Sequence, residues 1–165
     1  MDFDRIFHLL YPSLHRYLHR LTGDADVAED IAQEAFVRLL SQSLPESEAR
    51  PWLFTVATNL VRDRVRKTVR QARLLSASPP VVTRFPRPDE HAEQSETVAH
   101  VQAVLSRMPD RDRQLLLMRE EGFKYEEMAQ AIGVAPSSVG TLLARALRRF
   151  AGLYKSEEAD DDARG

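Results

Sequence analysis

The chain has 165 residues, of which 43% are hydrophobic and 29% are charged, and its formal net charge is −2. This length suits one globular domain or two small ones, and the absence of cysteine excludes disulfides and thiolate metal sites. No apolar run approaches the roughly 18 residues of a membrane span, and the amino terminus does not resemble a secretory leader, so we expect a cytoplasmic protein.

Charge is strongly segregated along the chain. Residues 24–34 are acidic without a basic residue among them, whereas residues 62–73 form a basic block that only Asp63 interrupts. The tail beyond Glu157 is acidic again. Because local charge decides what docks where, the small net charge does not argue against a nucleic-acid partner.

Two helices are predicted at the amino-terminal end. Apolar residues recur at intervals of three and four residues over residues 3–21, which predicts a helix. Pro12 is expected to kink or interrupt this helix, and Gly23 to end it.

Asp24 or Asp26 can cap a second helix. The face opposite its apolar stripe is either solvated or a docking surface for a basic partner. Its polar residues include Asp26, Asp30, Gln33 and Glu34.

A third, longer helix is predicted after a loop at residues 41–50, with Pro51 in its first turn and its end near Leu75. One side carries an apolar stripe and the other is cationic. Six basic residues over little more than three turns cannot be neutralised by Asp63, so phosphate binding with counterion release is the natural use. A solvated basic face is the alternative. The polar side includes Asn59, Arg62, Asp63, Arg66, Lys67 and Arg70.

The segment that follows predicts a tether between two helical modules. Residues 76–91 contain four prolines and no sustained hydrophobic period, which is typical of a linker with polyproline character. At ~3.1 Å per residue it would span on the order of 50 Å, more than one turn of DNA at ~34 Å. Two modules on this tether could therefore bind separate sites on one duplex.

The carboxy-terminal module is predicted to have four helices that end in a helix-turn-helix at residues 122–150. Ala129 lets the last two helices approach closely, and Gly133 can adopt the left-handed conformation of the turn. Pro136 suits the start of the second helix, which Ser137 or Ser138 can cap. The alternative is a helical hairpin that only packs a core. The residues on or near the groove-facing side are Ser137, Ser138, Thr141, Arg145, Arg148 and Arg149.

Three motifs carry a family resemblance. They are DADVAEDIAQEAFVRLL (Asp24–Leu40), RPWLFTVATNLVRDRVRK (Arg50–Lys67) and MPDRDRQLLLMREEGFKYEEMAQAIGVAPSSVGTLLARAL (Met108–Leu147). In their order and separation they resemble bacterial RNA polymerase sigma factors of the extracytoplasmic-function (ECF) type. The resemblance covers nearly all of residues 1–153, leaving aside the linker sequence and the tail.

The resemblance implies an all-α protein with two small helical domains, an N-terminal helical bundle and a C-terminal four-helix domain with a helix-turn-helix, joined by a flexible linker. Residues 1–75 would bind core polymerase and recognise and melt the minus-ten element. Residues 76–93 would be the proline-rich linker, and residues 94–153 would bind the minus-thirty-five element as duplex. Residues 154–165 would be an acidic, disordered tail.

The resemblance also implies roles for individual residues. Those expected to bind the clamp coiled coil of the largest polymerase subunit are Asp26, Glu29, Asp30, Gln33 and Glu34. Those expected at the minus-ten DNA are Asn59, Arg62, Asp63, Arg66 and Lys67, and the loop at residues 42–48 would receive a flipped base. Those expected at the minus-thirty-five DNA are Ser137, Ser138, Thr141, Arg145, Arg148 and Arg149. An anti-sigma factor is a further expected partner.

The chain departs from the family pattern at several positions. Thr58, Gly140 and Leu142 stand where basic residues are common, and Lys124 replaces the usual hydroxyl cap before Tyr125. The base sequence of the upstream promoter element is therefore not predicted.

Two rival functions remain at this point. A one-component regulator would sense a ligand or dimerise through its amino-terminal helices and bind an operator alone. An enzyme acting on DNA would need a nucleophile beside a base, or clustered carboxylates for a metal. The acidic cluster lacks histidine or glycine-rich partners, and His15 and His19 lack a third ligand. We therefore expect no catalytic residue, no metal or other cofactor, no small-molecule substrate and no membrane insertion.

Overall fold

The structure, a computed structural model, describes residues 1–75 and 95–164. These residues form seven α-helices, and the predicted all-α fold with two helical domains is confirmed. The chain divides into two compact units, Met1–Pro88 and Asp89–Gly165. The predicted linker, residues 76–93, lies outside the described residues. Within the described ranges, no helix combines the length and the hydropathy that crossing a membrane requires.

The first unit is a bundle of three helices, α1 (Phe3–Thr22), α2 (Ala25–Leu39) and α3 (Glu46–Leu75). Each helix packs one apolar face against the other two. Burial of a large apolar side chain contributes ~1.5–3 kcal/mol, so the shared core stabilises the bundle. Its fully enclosed side chains include Ile6, Leu14, Leu18, Ala32, Ala35, Phe36, Leu39, Leu53, Phe54 and Ala57.

The corner between α1 and α2 is held by Gly23 and Asp24. Gly23 has a φ of 72° and ends α1, as predicted. The Asp24 carboxylate accepts hydrogen bonds from the backbone N–H of Asp26 at 2.9 Å and of Val27 at 3.1 Å. Of the two caps that the sequence leaves open, the structure therefore selects Asp24.

Two prolines lie inside helices, where the sequence predicts a kink or a helix start. Helix α1 runs continuously through Pro12. Helix α3 begins at Glu46, so Pro51 lies beyond its first turn and the predicted loop at residues 41–50 ends at Pro45. An interior proline removes one backbone hydrogen bond, but the buried residues on either side of each proline keep these helices in place.

Thr58 joins α3 to α1 inside the core. Its hydroxyl donates to the Phe54 carbonyl at 2.7 Å and accepts from the Tyr17 hydroxyl at 2.7 Å. Both side chains are buried, and buried hydroxyls need such partners. At this position, where the family pattern often has a basic residue, the residue of this chain therefore has a structural role.

The second unit has four helices, as predicted: α4 (Glu96–Ser106), α5 (Asp110–Glu120), α6 (Tyr125–Ile132) and α7 (Pro136–Arg164). Helix α7 packs on each of the other three and is the centre of the unit. The buried side chains of its core include Val104, Leu105, Met108, Leu115, Met118, Met128, Val139, Leu143 and Ala146.

Helices α6 and α7 form the predicted helix-turn-helix. The turn between them, residues 133–135, begins at Gly133, which has a φ of 72° and donates its N–H to the Ala129 carbonyl at 2.9 Å. Because α7 starts at Pro136, Ser137 and Ser138 lie inside its first turn. The prediction that one of these serines caps the helix is therefore wrong.

The sequence predicts an acidic, disordered tail at residues 154–165. For residues 154–164 this prediction is also wrong, because α7 continues to Arg164. After Gly152 the sequence has no glycine or proline before its last residue, so no residue there breaks the helix.

Two contacts hold the start of this extension against α4. The rings of His100 and Tyr154 stack with their centroids 4.2 Å apart. The Arg107 guanidinium donates to the Glu157 carboxylate at 2.8 Å. Charge and composition do not reveal these contacts, because they arise from the packing of α4 on α7.

Gly140 offers a test of helix stability within α7. Glycine inside a helix costs ~1 kcal/mol relative to alanine, and a Cβ at this position would meet Cε2 of Tyr125 at 3.6 Å, an ordinary contact. We expect Gly140→Ala to raise the free energy of unfolding of the second unit by about 1 kcal/mol, measured by calorimetry. Gly133→Ala is the control and should destabilise the unit, since its φ of 72° disfavours a side chain. Destabilisation by both variants would contradict this account.

Candidate protein and nucleic-acid interfaces

Helix α2 presents a polar face that is separate from its buried stripe. Two contacts order this face along the helix: the Gln33 amide donates to Glu29 at 3.3 Å, and Arg38 donates to Glu34 at 3.1 Å. The structure thus gathers five of the predicted site residues on one accessible surface. These exposed residues, called the α2 face, are Asp26, Glu29, Asp30, Gln33 and Glu34.

Helix α1 adds an aromatic edge beside the α2 face. The Tyr11 ring lies between Phe7, with centroids 5.0 Å apart, and His15, with centroids 6.0 Å apart. Burial raises the pKa of the Tyr11 phenol, and the Glu29 carboxylate raises it further. The phenol therefore stays protonated near neutral pH, and the negative charge of the α2 face comes from its carboxylates.

Helix α3 extends its basic segment beyond the core. The last buried residue of the helix is Val61, and within residues 62–75 every side chain is half-buried or exposed. Asn59, Asp63, Arg66 and Lys67 are exposed and Arg62 is half-buried. Arg66 and Asp63 approach to 3.9 Å. These five predicted residues, called the α3 face, share one side of the helix, opposite its buried stripe.

One ion pair connects α2 to α3. Nη2 of Arg64 lies 3.6 Å from Oδ2 of Asp30, and the two side chains are 46% and 67% exposed. From the sequence, Arg64 is one member of the basic block and no separate role is predicted for it. A signal was available, because Arg64 follows the buried Val61 by three residues and therefore continues the side of α3 that faces the bundle.

The connection before α3 is shorter than the resemblance implied. Glu46, Ser47 and Glu48 belong to the first turn of α3, and Arg5 of α1 forms an ion pair with Glu46. The segment between helices that could receive a flipped base is therefore residues 42–45 rather than residues 42–48.

Helix α7 presents the predicted groove-facing side. Ser137, Ser138, Thr141, Arg145 and Arg148 are all exposed, on the side of the helix opposite its buried residues Val139, Leu143 and Ala146. This arrangement leaves hydroxyls near the helix start and cations farther along, which suits contact with base edges and phosphates of a duplex.

Arg149, also predicted for this interface, is held by a partner within the unit. Its guanidinium forms an ion pair with the carboxylate of Asp112 in α5, whose side chain is only 10% exposed. The Arg149 side chain is 56% exposed. The structure therefore gives Arg149 a contact that helps to compensate a nearly buried charge, a role that Arg145 does not share.

This difference predicts opposite outcomes for two variants. Arg149→Ala should lower the free energy of unfolding of the second unit by roughly 1 kcal/mol, because it leaves the Asp112 carboxylate without this partner. Arg145→Ala should leave stability unchanged, weaken duplex binding and reduce its salt dependence. Denaturant unfolding and salt titrations of DNA binding measure the two effects. Equal unfolding energies for the two variants would contradict the assignment.

The comparisons with known proteins agree with this architecture. Residues 6–71 match the sigma-70 region 2 family, and residues 100–150 match sigma-70 region 4. The chain is 31% identical to the ECF RNA polymerase sigma factor EcfG of Rhodopseudomonas palustris (strain TIE-1), over 91% of this chain and 83% of that protein. It is 28% identical to the ECF RNA polymerase sigma factor SigM of Bacillus subtilis (strain 168), over 98% of this chain and 100% of that protein.

A solved structure is similar in fold. It is the sigma factor RpoE in complex with the anti-sigma factor NepR from Bartonella quintana, with a TM-score of 0.67 and 22% identity. The similarity covers 93% of this chain and 97% of the RpoE chain.

Proposed function

The chain belongs to the ECF RNA polymerase sigma factors, which bind core RNA polymerase and direct it to promoters, and we propose how its two units divide this work. The first unit docks on core polymerase and opens the DNA, and the second binds duplex farther upstream. The observation that carries the proposal is the separation of charge in the first unit, with an anionic face on α2 and a cationic one on α3.

The α2 face is proposed to bind the clamp coiled coil of the largest polymerase subunit. Its carboxylates would attract a basic partner and set the orientation of docking. Val37 follows Glu34 by three residues and is 60% exposed, so the face also offers apolar surface. An interface with an apolar part among polar residues is the usual arrangement for a specific protein complex.

The α3 face is proposed to bind the minus-ten element. Asn59 can donate to and accept from base edges, and Arg62, Arg66 and Lys67 can bind phosphates as the strands separate. A base flipped from the strand would enter near residues 42–45. The position of these side chains opposite the buried stripe of α3 supports the proposal, because the DNA can approach without disturbing the core.

Helix α7 is proposed to read the minus-thirty-five element in its duplex form. Ser137, Ser138 and Thr141 would lie near base edges, and Arg145 and Arg148 near phosphates. Arg149 would contribute positive charge while it keeps its contact with Asp112. Gly140 offers no side chain, so readout would depend on the hydroxyls more than in sigma factors that have a basic residue there.

The remaining parts of the proposal concern partners and location. Specificity would come from binding energy, without a catalytic residue, a metal or another cofactor. A cytoplasmic location follows from the proposed partners, polymerase and promoter DNA. Because the structurally similar RpoE was solved with NepR, we include an anti-sigma factor among the partners. The working boundary of the first domain is residues 1–75, and the second domain, predicted as residues 94–153, is extended along α7 because Tyr154 and Glu157 contact α4.

Run-off transcription with purified core polymerase on a promoter library tests the proposal. We expect a defined subset of promoters to be transcribed only when the chain is added. A stand-alone regulator would instead bind duplex tightly without polymerase and would not support transcription, and that result would overturn the proposal.

A further inference from the structure

The Asp30–Arg64 contact joins the α2 face to the basic segment of α3, and the proposed function assigns these two regions to different partners. Asp30 belongs to the α2 face, and Arg64 belongs to the basic segment of α3. Their side chains meet at 3.6 Å while both remain substantially exposed. One contact therefore occupies an anion of the α2 face and a cation that neighbours the proposed DNA-binding residues in sequence.

This ion pair is poorly suited to a structural role. Exposed ion pairs contribute little to stability, because water screens them and two long side chains must be ordered. Helices α2 and α3 already pack on each other, and both bury apolar residues, among them Ile31, Ala35, Ala57 and Val61. The contact can therefore be exchanged for another at small cost to the fold.

We propose that Asp30 and Arg64 form an exchangeable ion pair that couples polymerase docking to DNA binding. A cation of the polymerase replaces Arg64 at the Asp30 carboxylate. The guanidinium of Arg64 then binds a DNA backbone phosphate, adding one cation to the segment that carries Arg66 and Lys67. The inference rests on the proposed function, since it requires α2 to bind polymerase and α3 to bind DNA.

Linkage makes the coupling reciprocal. If docking on polymerase raises the affinity of the chain for DNA, bound DNA raises the affinity of the chain for polymerase by the same factor. The expected factor is about two- to fivefold, the range that an exposed ion pair allows. In the free chain, Asp30 keeps Arg64 partly neutralised and so lowers the affinity of the chain for DNA.

The first test compares the free chain with the chain bound to core polymerase. DNA affinity is measured by fluorescence anisotropy with a single-stranded oligonucleotide for the free chain, and with a fork-junction promoter probe for the complex, using core polymerase alone as the blank. Arg64→Gln should weaken DNA binding of the complex by about two- to fivefold and leave the free chain unchanged. Arg73→Gln removes another exposed cation of α3 and should weaken both states equally. Equal loss in both states for Arg64→Gln would overturn the coupling.

The second test uses the free chain alone. Asp30→Asn should raise its affinity for the oligonucleotide by about two- to fivefold, and the gain should disappear in the double variant with Arg64→Gln. Glu29→Gln, which removes an equal charge from the same face, should give a smaller gain that Arg64→Gln does not abolish. Equal behaviour of the two acidic variants would overturn the coupling.

The same variants separate failure of the coupling from failure of the proposed function. If charge reversal at Asp30 leaves polymerase binding intact, the docking assignment is wrong. If Lys67→Gln, which removes an exposed cation of the α3 face itself, has no effect on DNA binding in either state, the assignment of the α3 face is wrong. If both assignments hold while Arg64→Gln acts equally in the two states, the coupling alone is wrong.

Discussion

Asp30→Arg is expected to lower the affinity of the chain for core polymerase by at least about tenfold and to reduce run-off transcription in parallel. The substitution removes an anion from the α2 face and places a cation opposite a basic partner. Like charges juxtaposed in an interface cost several kcal/mol, and each 1.4 kcal/mol is about a factor of ten in affinity. Binding is measured by titrating labelled chain with core polymerase at fixed salt.

Glu158→Arg is the matched control for this charge reversal. It changes the net charge by the same amount at an exposed position of α7, outside the first unit, and should leave polymerase binding unchanged. Thermal unfolding of both variants should show that the folded structure is retained. If Asp30→Arg binds core polymerase and transcribes as well as the unmodified chain, the α2 face is not the docking surface.

Phe54→Ala is expected to have the largest effect on stability. The Phe54 side chain is fully buried and packs on Tyr17 with ring centroids 4.9 Å apart. Truncation of a buried phenylalanine costs about 3–5 kcal/mol, which is a large part of the total stability of a small domain at about 5–15 kcal/mol. The first unit should therefore unfold at a much lower temperature, and polymerase binding should be lost.

The second unit should not share this loss, because it has a core of its own that includes Leu115, Met118 and Leu143. In calorimetry, the unfolding transition of the first unit should move to a lower temperature and that of the second unit should not move. The affinity of the helix-turn-helix for duplex DNA should be unchanged. Leu74→Ala is the control on the same helix, since Leu74 is 80% exposed and its truncation should change neither transition. If both transitions move together in Phe54→Ala, the two units do not unfold independently.

The Asp112–Arg149 and Asp30–Arg64 ion pairs lead to different expectations because the burial of their carboxylates differs. Asp112 is nearly enclosed, so its contact with Arg149 compensates a charge that water cannot solvate fully. Asp30 remains open to solvent, so its contact with Arg64 is weak and exchangeable. The first pair is therefore expected to affect stability, and the second to affect partner binding.

The amino-acid sequence by itself determined the helical architecture, the helix-turn-helix and the faces on which the candidate residues lie. These features depend on local periodicity and turn chemistry, as at Gly23 and Gly133, and periodicity alone separates the buried stripe of α2 from its acidic face. Only the tertiary structure decided which charges meet, because Asp30 with Arg64 and Asp112 with Arg149 are distant in sequence and come together through helix packing. The same packing brings His100 of α4 against Tyr154 of α7 at the start of the acidic end. That end is helical to Arg164, whereas composition alone predicted disorder.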